Sequence, residues 1–306
     1  MPRTAWHDHP VSDLPASLTQ LAGGHSGRTF LGEAGGERVV VRLYPPQLPG
    51  ADTAPETDAA VLSLVRGLLP VPDVLDVRRG DVAADEPGLL VTSWLPGERG
   101  DLVLEGADEV LLARLGAGMG GVAATLAGMP MRHVGPFVDA ELTLGHFPEG
   151  GLVEWVESRL AAWSDADRAG LVRVAESAQD LLDTVDRACL VHSDLNPKNV
   201  VVDPGTGAIT GVVDWEFAHA GHPWTDLGNV LRFDRHPSYV RAAVEAWATV
   251  RGGSASELLD GARAADLWAL VDLAARSGQN PVATRAEWLL RAIATTGDLH
   301  AWPSAT

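Results

Sequence analysis

The residues of this 306-residue chain best suited to chemistry lie in one short run, His192-Ser193-Asp194-Leu195-Asn196-Pro197-Lys198-Asn199. It sets a carboxylate, two amides and the chain's only lysine side by side, and a second carboxylate, Asp214, follows further on. Transfer of a γ-phosphoryl group asks for such a set. One carboxylate orients an attacking hydroxyl and accepts its proton, while an amide and a second carboxylate hold Mg²⁺ against the phosphates. Asp194 suits the first role; Asn199 and Asp214 suit the second. Lys198 either reaches the transferring phosphoryl group or is a solvated loop residue.

The elements around the run must bring these groups together. An apolar stretch over residues 188–191 leads in, Val200-Val201-Val202 leads out, and Asp203-Pro204-Gly205-Thr206-Gly207 turns the chain toward a third apolar stretch over 209–213. Two β-branched runs across a Pro-Gly turn predict a hairpin whose ends return to one place. Asp194, Asn199 and Asp214 should therefore converge.

The pattern His-x-Asp-x-x-x-x-Asn, then an Asp after a hairpin, resembles the catalytic core of the protein-kinase-like superfamily. Within it, His192-Ser193-Asp194, Asn199, Asp214-Trp215 and Pro223-Trp224-Thr225-Asp226-Leu227-Gly228 are most similar to the aminoglycoside phosphotransferase family, which phosphorylates small molecules. The resemblance implies an α+β, two-lobed, protein-kinase-like fold. A small antiparallel β-sheet N-lobe, residues 1–95, would bind nucleotide. A larger, mainly helical C-lobe, residues 96–306, would carry the catalytic loop and substrate site. It also implies Mg²⁺ as cofactor, ATP or GTP as phosphate donor, and Asp226 as a brace of the catalytic region. The family more often has an aspartate before the proline, where this chain has His222.

The first part of the chain reads as a nucleotide-binding segment. Gly23-Gly24-His25-Ser26-Gly27-Arg28 precedes a strand-like run over 38–43, and glycines let backbone N–H groups approach a polyphosphate. An ordinary hairpin turn has the same local signature. The resemblance assigns Ser26, Gly27 and Arg28 to the phosphate loop. It also places a lysine or arginine on the next strand, paired with an acid on the following helix. Arg42 and Asp58 match, and a guanidinium can clamp phosphate oxygens in pairs. Glu56 is the other acid at hand, but it directly follows Pro55 and suits a helix start. Residues 88–95 form an apolar run ending at Pro96-Gly97, similar to the hinge between lobes. There Ser93, Trp94 and Leu95 would offer backbone groups to a purine edge; a buried strand plus turn fits the residues equally well.

Composition narrows the function classes. The 23 basic and 41 acidic residues give a formal charge of −18, which argues against nucleic acid or an anionic membrane as partner. It suits a small cationic substrate, and it equally suits plain solubility. The sequence shows no apolar run read as long enough to span a membrane and no signal-peptide pattern, so a cytoplasmic protein is expected, as a monomer or weak dimer. A single cysteine, Cys189, excludes an internal disulfide and reads as a core residue.

Helical periodicity governs the rest, over 107–115, 152–160, 171–182, 239–250, 262–275 and 283–294. Gly116-Ala117-Gly118-Met119-Gly120-Gly121 matches G-x-G-x-x-G, and a nicotinamide oxidoreductase is a rival resting on that run alone. Its context is wrong for a dinucleotide site: the preceding stretch is helical and no acid-bearing second strand follows, so close helix approach explains it better. Family enzymes bind substrate amino groups through carboxylates near the catalytic Asp and on second-lobe helices. Glu154, Glu157, Glu216 and Asp234 are the candidates here, with Trp155 and Trp224 as apolar or cation–π walls. Each also reads as a solvated acid or a core aromatic. The expected activity is an O-phosphotransferase acting on a small cationic antibiotic, an aminoglycoside or a basic cyclic peptide of the capreomycin or viomycin kind, conferring resistance. A metabolic kinase for choline, a sugar or an amino alcohol is the alternative. A pseudokinase is disfavoured by the intact Asp194, Asn199 and Asp214.

Overall fold

The computed structural model describes residues 18–21, 28–47, 50 and 52–303; Ser26 and Gly27 lie outside them. The chain divides into two compact units. The first comprises Met1–Gly106, Pro136–Gly145 and Pro197–Ala218; the second comprises Ala107–Gly135, His146–Asn196 and His219–Thr306. The boundary falls inside the catalytic-type motif, leaving Asp194 and Asn196 in the second unit and Lys198 and Asn199 in the first.

The first unit is built on a five-stranded antiparallel sheet of order β1-β2-β3-β5-β4, from β1 (Thr19–Gln20), β2 (Arg28–Ala34), β3 (Glu37–Tyr44), β4 (Val74–Arg78) and β5 (Gly88–Ser93). Strand side chains alternate between faces. In β3 the alternation sends Val39 and Val41 into a small core with Leu89, and it leaves Arg42 and Tyr44 on the same opposite face. Helix α1 (Ala54–Val65) buries Asp58 on the stripe that also carries Val61, Leu62 and Val65, an i, i+3, i+4, i+7 pattern with one acid in it. Glu56 lies off that stripe, 3.9 Å from Arg79.

The predicted hairpin is present in the same unit. Strand β10 (Val200–Val202) pairs antiparallel with β11 (Ile209–Val212), and β6 (Glu98–Arg99) adds a third strand on the other side of β10. Asp203 organises the turn by accepting from the N–H groups of Gly205 and Thr206, both at 2.9 Å. A short helix α2 (Gly100–Glu105) follows β6, and a single 3-10 turn, Pro197–Asn199, delivers the chain into β10.

The second unit is mainly helical: α3 (Glu109–Ala127), α4 (Leu152–Arg159), α5 (Asp165–Leu182), α6 (Thr225–Leu231), α7 (Pro237–Arg251), α8 (Ala255–Ala274) and α9 (Pro281–Thr296). Its sheet has the order β7-β9-β12-β8, from β7 (Pro130–Met131), β8 (Gly135–Pro136), β9 (Ala188–Val191) and β12 (His219–Gly221). Cys189 is fully buried in β9, and burial pushes its thiol up to about 12, as expected of an inert core residue.

Helix α3 runs straight through the G-x-G-x-x-G stretch. A Cβ added at Gly116 would sit 2.3 Å from Tyr239 O, and one at Gly120 would sit 2.1 Å from Ala243 O, both backbone atoms of α7. The glycines are there for helix contact, which removes the dinucleotide reading. The expectation of no membrane-length apolar run needs correction: α3 is long and apolar enough to cross a membrane by length and composition alone. More than half of its apolar window is buried within the protein, where it packs against α7.

Candidate active site

The loop after β9 is anchored by one buried acid. Asp226, 1% exposed in the first turn of α6, accepts from His192 N (Oδ2, 2.9 Å) and Ser193 N (Oδ1, 2.9 Å). Both carboxylate oxygens are thus spent on successive N–H groups that no strand partner could satisfy once β9 has ended. Burial raises the Asp226 carboxyl above its ordinary range, opposed by His192 and the two N–H groups. Ser193 adopts φ 65°, a left-handed conformation costly for a residue with a Cβ, and its own N–H and that of the preceding residue are both tied to Asp226.

The strain turns the chain so that Asp194 stands part-buried on the loop. Asn196 Nδ2 donates to Asp194 Oδ1 at 2.8 Å and to Asp194 O at 3.0 Å, and Asn196 N donates to the same carbonyl at 2.9 Å. Asn196 therefore fixes both the backbone and the carboxylate of Asp194. The sequence held a signal for this, since an amide two residues beyond an acid can close such a local ring.

In the first unit, Asn199 and Asp214 are brought together as expected, with Val213 N donating to Asn199 O at 3.0 Å. Asn199 is buried at 4% exposure, and Asp214, like Ser193, is held at a positive φ (66°). Trp215 is buried beside it and donates from Nε1 to Val212 O at 3.1 Å, pinning the turn. Lys198 is exposed on the 3-10 turn.

Arg42 joins this group. Its Nη1 donates to Asp214 Oδ1 at 2.7 Å and its Nη2 donates to Glu216 Oε2. Asp58 is one step behind: its Oδ2 accepts from Tyr44 Oη at 2.5 Å. The expected direct pairing of Arg42 with Asp58 is thus replaced by a relay. A shorter aspartate on α1 meets the tyrosine two residues along β3, while acids after β11 take the guanidinium. Burial of the guanidinium opposes its charge, but Tyr44, Asp214, Glu216 and Asp58 together hold its pKa above the ordinary value. Burial raises Asp58, against Arg42 and the Tyr44 bond, and pushes Glu216 up to about 7, against the pull of Arg42. Sequence reasoning missed Tyr44, which the period of two from Arg42 could have flagged. The Arg42–Glu216 pair has no local signal, since the two residues are 174 positions apart.

The remaining candidates fall differently. Arg28 opens β2, exposed, opposite Leu43. Ser93 N donates to Asp73 O at 2.9 Å and Trp94 N to Arg38 O at 3.3 Å, so the expectation of free donors across the hinge is corrected. Of the three N–H groups only that of Leu95 lacks a bond among the described residues. Glu154 caps its own helix, with Oε2 accepting from Gly151 N at 2.8 Å, and Glu157 is exposed on the same helix. Glu216 is the partner of Arg42 just described. Trp224 is 6% exposed and packed over Gly261, a core position. Trp155 donates to Trp268 O at 3.0 Å and carries Arg159 over its ring at 4.2 Å, so its cation partner comes from the chain itself. Asp234 is part-buried between α6 and α7. A buried ion pair stands behind the loop in the second unit: Arg232 donates from Nε and Nη2 to Asp266 at 2.8–3.1 Å, with exposures of 5% and 1%.

A β-sheet unit carrying a clamped arginine and an Asn–Asp pair, followed by a helical unit carrying an aimed aspartate, defines a phosphotransferase of the protein-kinase-like kind. Residues 17–259 match the profile of the APH phosphotransferase enzyme family, and the chain belongs to that family. Among solved structures it is similar to the aminoglycoside phosphotransferase APH(4)-Ia, 20% identical at a TM-score of 0.65 over 92% of this chain and 94% of that one. It is also similar to the GDP and kanamycin complex of APH(2")-IIia, 16% identical at 0.67 over 92% and 94%. A third is the microcompartment-associated aminopropanol kinase, 20% identical at 0.62 over 91% and 91%. These likenesses concern the fold. Acyl-CoA dehydrogenase family member 11 of Mus musculus and of Rattus norvegicus are 38% and 36% identical over 55 residues, 18% of this chain and 7% of theirs.

Proposed function

We propose that the protein moves the γ-phosphoryl group of ATP or GTP to a hydroxyl of a small cationic molecule, an antibiotic of the aminoglycoside or tuberactinomycin kind. Resistance follows because the added charge and bulk spoil a cationic drug. The observation that carries the reading is the aimed carboxylate of Asp194, held at 2.8 Å by Asn196 on a loop anchored to Asp226.

Asp194 orients the acceptor hydroxyl and takes its proton as the new oxygen–phosphorus bond forms and the bond to the nucleoside diphosphate breaks. Arg42 binds phosphate oxygens, and the Leu95 N–H meets the purine edge. Asn199 and Asp214 suit Mg²⁺: an amide oxygen and a carboxylate are hard donors, and this ion is commonly held by one or two carboxylates with substrate phosphates completing its shell. Bound there, the ion neutralises charge on the phosphates. Lys198, exposed on the same turn, is a further phosphate contact.

Hygromycin B with ADP or AMP-PNP is bound in APH(4)-Ia structures, and kanamycin with GDP in APH(2")-IIia; these support a purine nucleotide donor and an aminoglycoside acceptor. The similarity to an aminopropanol kinase favours a second reading, a metabolic amino-alcohol kinase. Mass spectrometry separates the two. Aminoglycosides, capreomycin-type peptides, choline, amino alcohols and sugars would be incubated with Mg²⁺ and ATP or GTP, beside an Asp194→Asn control. One added phosphoryl group on an antibiotic, lost in the control, is the expected result; selective product from a small amino alcohol would move the assignment to the metabolic kinase.

A further inference from the structure

The sequence resemblance leads to the expectation that Arg42 takes its orientation from an acid on the helix after its strand. In this chain that acid, Asp58, is engaged by Tyr44 Oη at 2.5 Å, while the guanidinium of Arg42 reaches Asp214 through Nη1 and Glu216 through Nη2. The side chains of Arg42 and Glu216 are 13% and 12% exposed, so neither is free to wander. Two anions on two different nitrogens fix a planar fork in direction as well as position.

We propose that Glu216 is the positioning residue for Arg42, holding the guanidinium away from full pairing with Asp214, with Asp58 as a supporting charge that acts through Tyr44. The inference rests on the reading of Arg42 as a phosphate-binding group. Its physical content is a competition. Asp214 would help hold Mg²⁺, yet it lies 2.7 Å from an arginine that would close on it if nothing else held the fork. Glu216 supplies the second anchor. Without it, Arg42 closes on Asp214, and both the phosphate clamp and the metal-binding carboxylate are lost to each other.

Equilibrium nucleotide binding at graded Mg²⁺ tests this, with wild type, Glu216→Gln, Glu216→Asp, Asp58→Asn, Arg42→Ala and the Arg42→Ala/Glu216→Gln double variant. Glu216→Gln should weaken Mg²⁺–nucleotide binding by about tenfold or more and raise the Mg²⁺ concentration needed for half-maximal binding. Glu216→Asp should fall between it and wild type. The double variant should bind no worse than Arg42→Ala, because the two residues act as a unit. Asp58→Asn should cost less than Glu216→Gln. Should Glu216→Gln melt below the assay temperature, Glu216→Asp carries the same comparison. An equal or larger loss for Asp58→Asn, or additive losses in the double variant, would overturn the inference. Wild type that binds neither ATP nor GTP would instead overturn the underlying reading of the site.

Discussion

A general base must be aimed before its proton affinity matters, and in the proposed reaction that base is Asp194, held by Asn196 on a loop whose first two amides are tied to Asp226. Asp194→Asn keeps the shape and the Asn196 contact but removes the proton acceptor. Turnover should drop by about a thousandfold with the melting temperature unchanged. His222 makes a different kind of statement about this loop region. Burial pushes its imidazole down to about 4, and its Nδ1 accepts from Trp224 N at 3.2 Å, so the folded protein keeps it neutral. Between about pH 6.5 and pH 4 the unfolded chain binds a proton here that the folded chain refuses. The stabilisation is complete above pH 6.5 and lost as the pH falls toward 4, a difference of about 3 kcal/mol. His222→Asn keeps an acceptor for Trp224 N without the titration. Urea unfolding at pH 4.5 and pH 7 should show a smaller acid loss in that variant; an identical loss would place the acid sensitivity elsewhere. At this scale the approach of Asn199 to Asp214 was legible, because one hairpin returns the two positions to each other. The Arg42–Glu216 contact was not, since it joins side chains 174 positions apart by a packing decision that no local pattern encodes.

Elements were readable where period and punctuation agreed. The hairpin of β10 and β11 follows from two β-branched runs and an Asp-Pro-Gly turn, and the helices of the second unit follow from apolar spacing. The membership of the units is harder, because Pro136–Gly145 and Pro197–Ala218 join the first unit through contacts distant in sequence. The glycines of α3 show where chemistry and packing give the same letters. Gly120 faces the α7 backbone, with an added Cβ only 2.1 Å from Ala243 O, whereas a Cβ at Gly121 meets nothing within 4 Å. Adjacent substitutions should therefore have opposite signs. Gly120→Ala must push two helices apart and should cost at least about 2 kcal/mol. Gly121→Ala only removes backbone freedom from a helix interior and should stabilise by up to about 1 kcal/mol. Denaturant titration of both variants checks this, and equal effects would mean that the α3–α7 approach is not limited by these atoms.

Charge belongs to the molecule as a whole, and −18 on 306 residues leaves a field that any charged acceptor must feel. The side-chain candidates for substrate contact have mostly been claimed by structure: Glu154 by its helix cap, Glu216 by Arg42, Trp224 by the core and Trp155 by Arg159. On the proposed reading, discrimination between a cationic and a neutral acceptor then rests more on the summed acidity than on any one carboxylate. Salt exposes such a contribution, since the screening length shrinks from about 14 Å at about 50 mM to about 4 Å at about 500 mM. With nucleotide and Mg²⁺ saturating, the KM of a polycationic acceptor should rise several-fold, by about 3 to 10 times, across that range while kcat stays nearly constant. A sugar acceptor should show a flat KM. If the accepted substrate carries amino groups and its KM is nevertheless flat, recognition comes from short-range contacts in an enclosed pocket, and the acidity of the chain serves solubility alone.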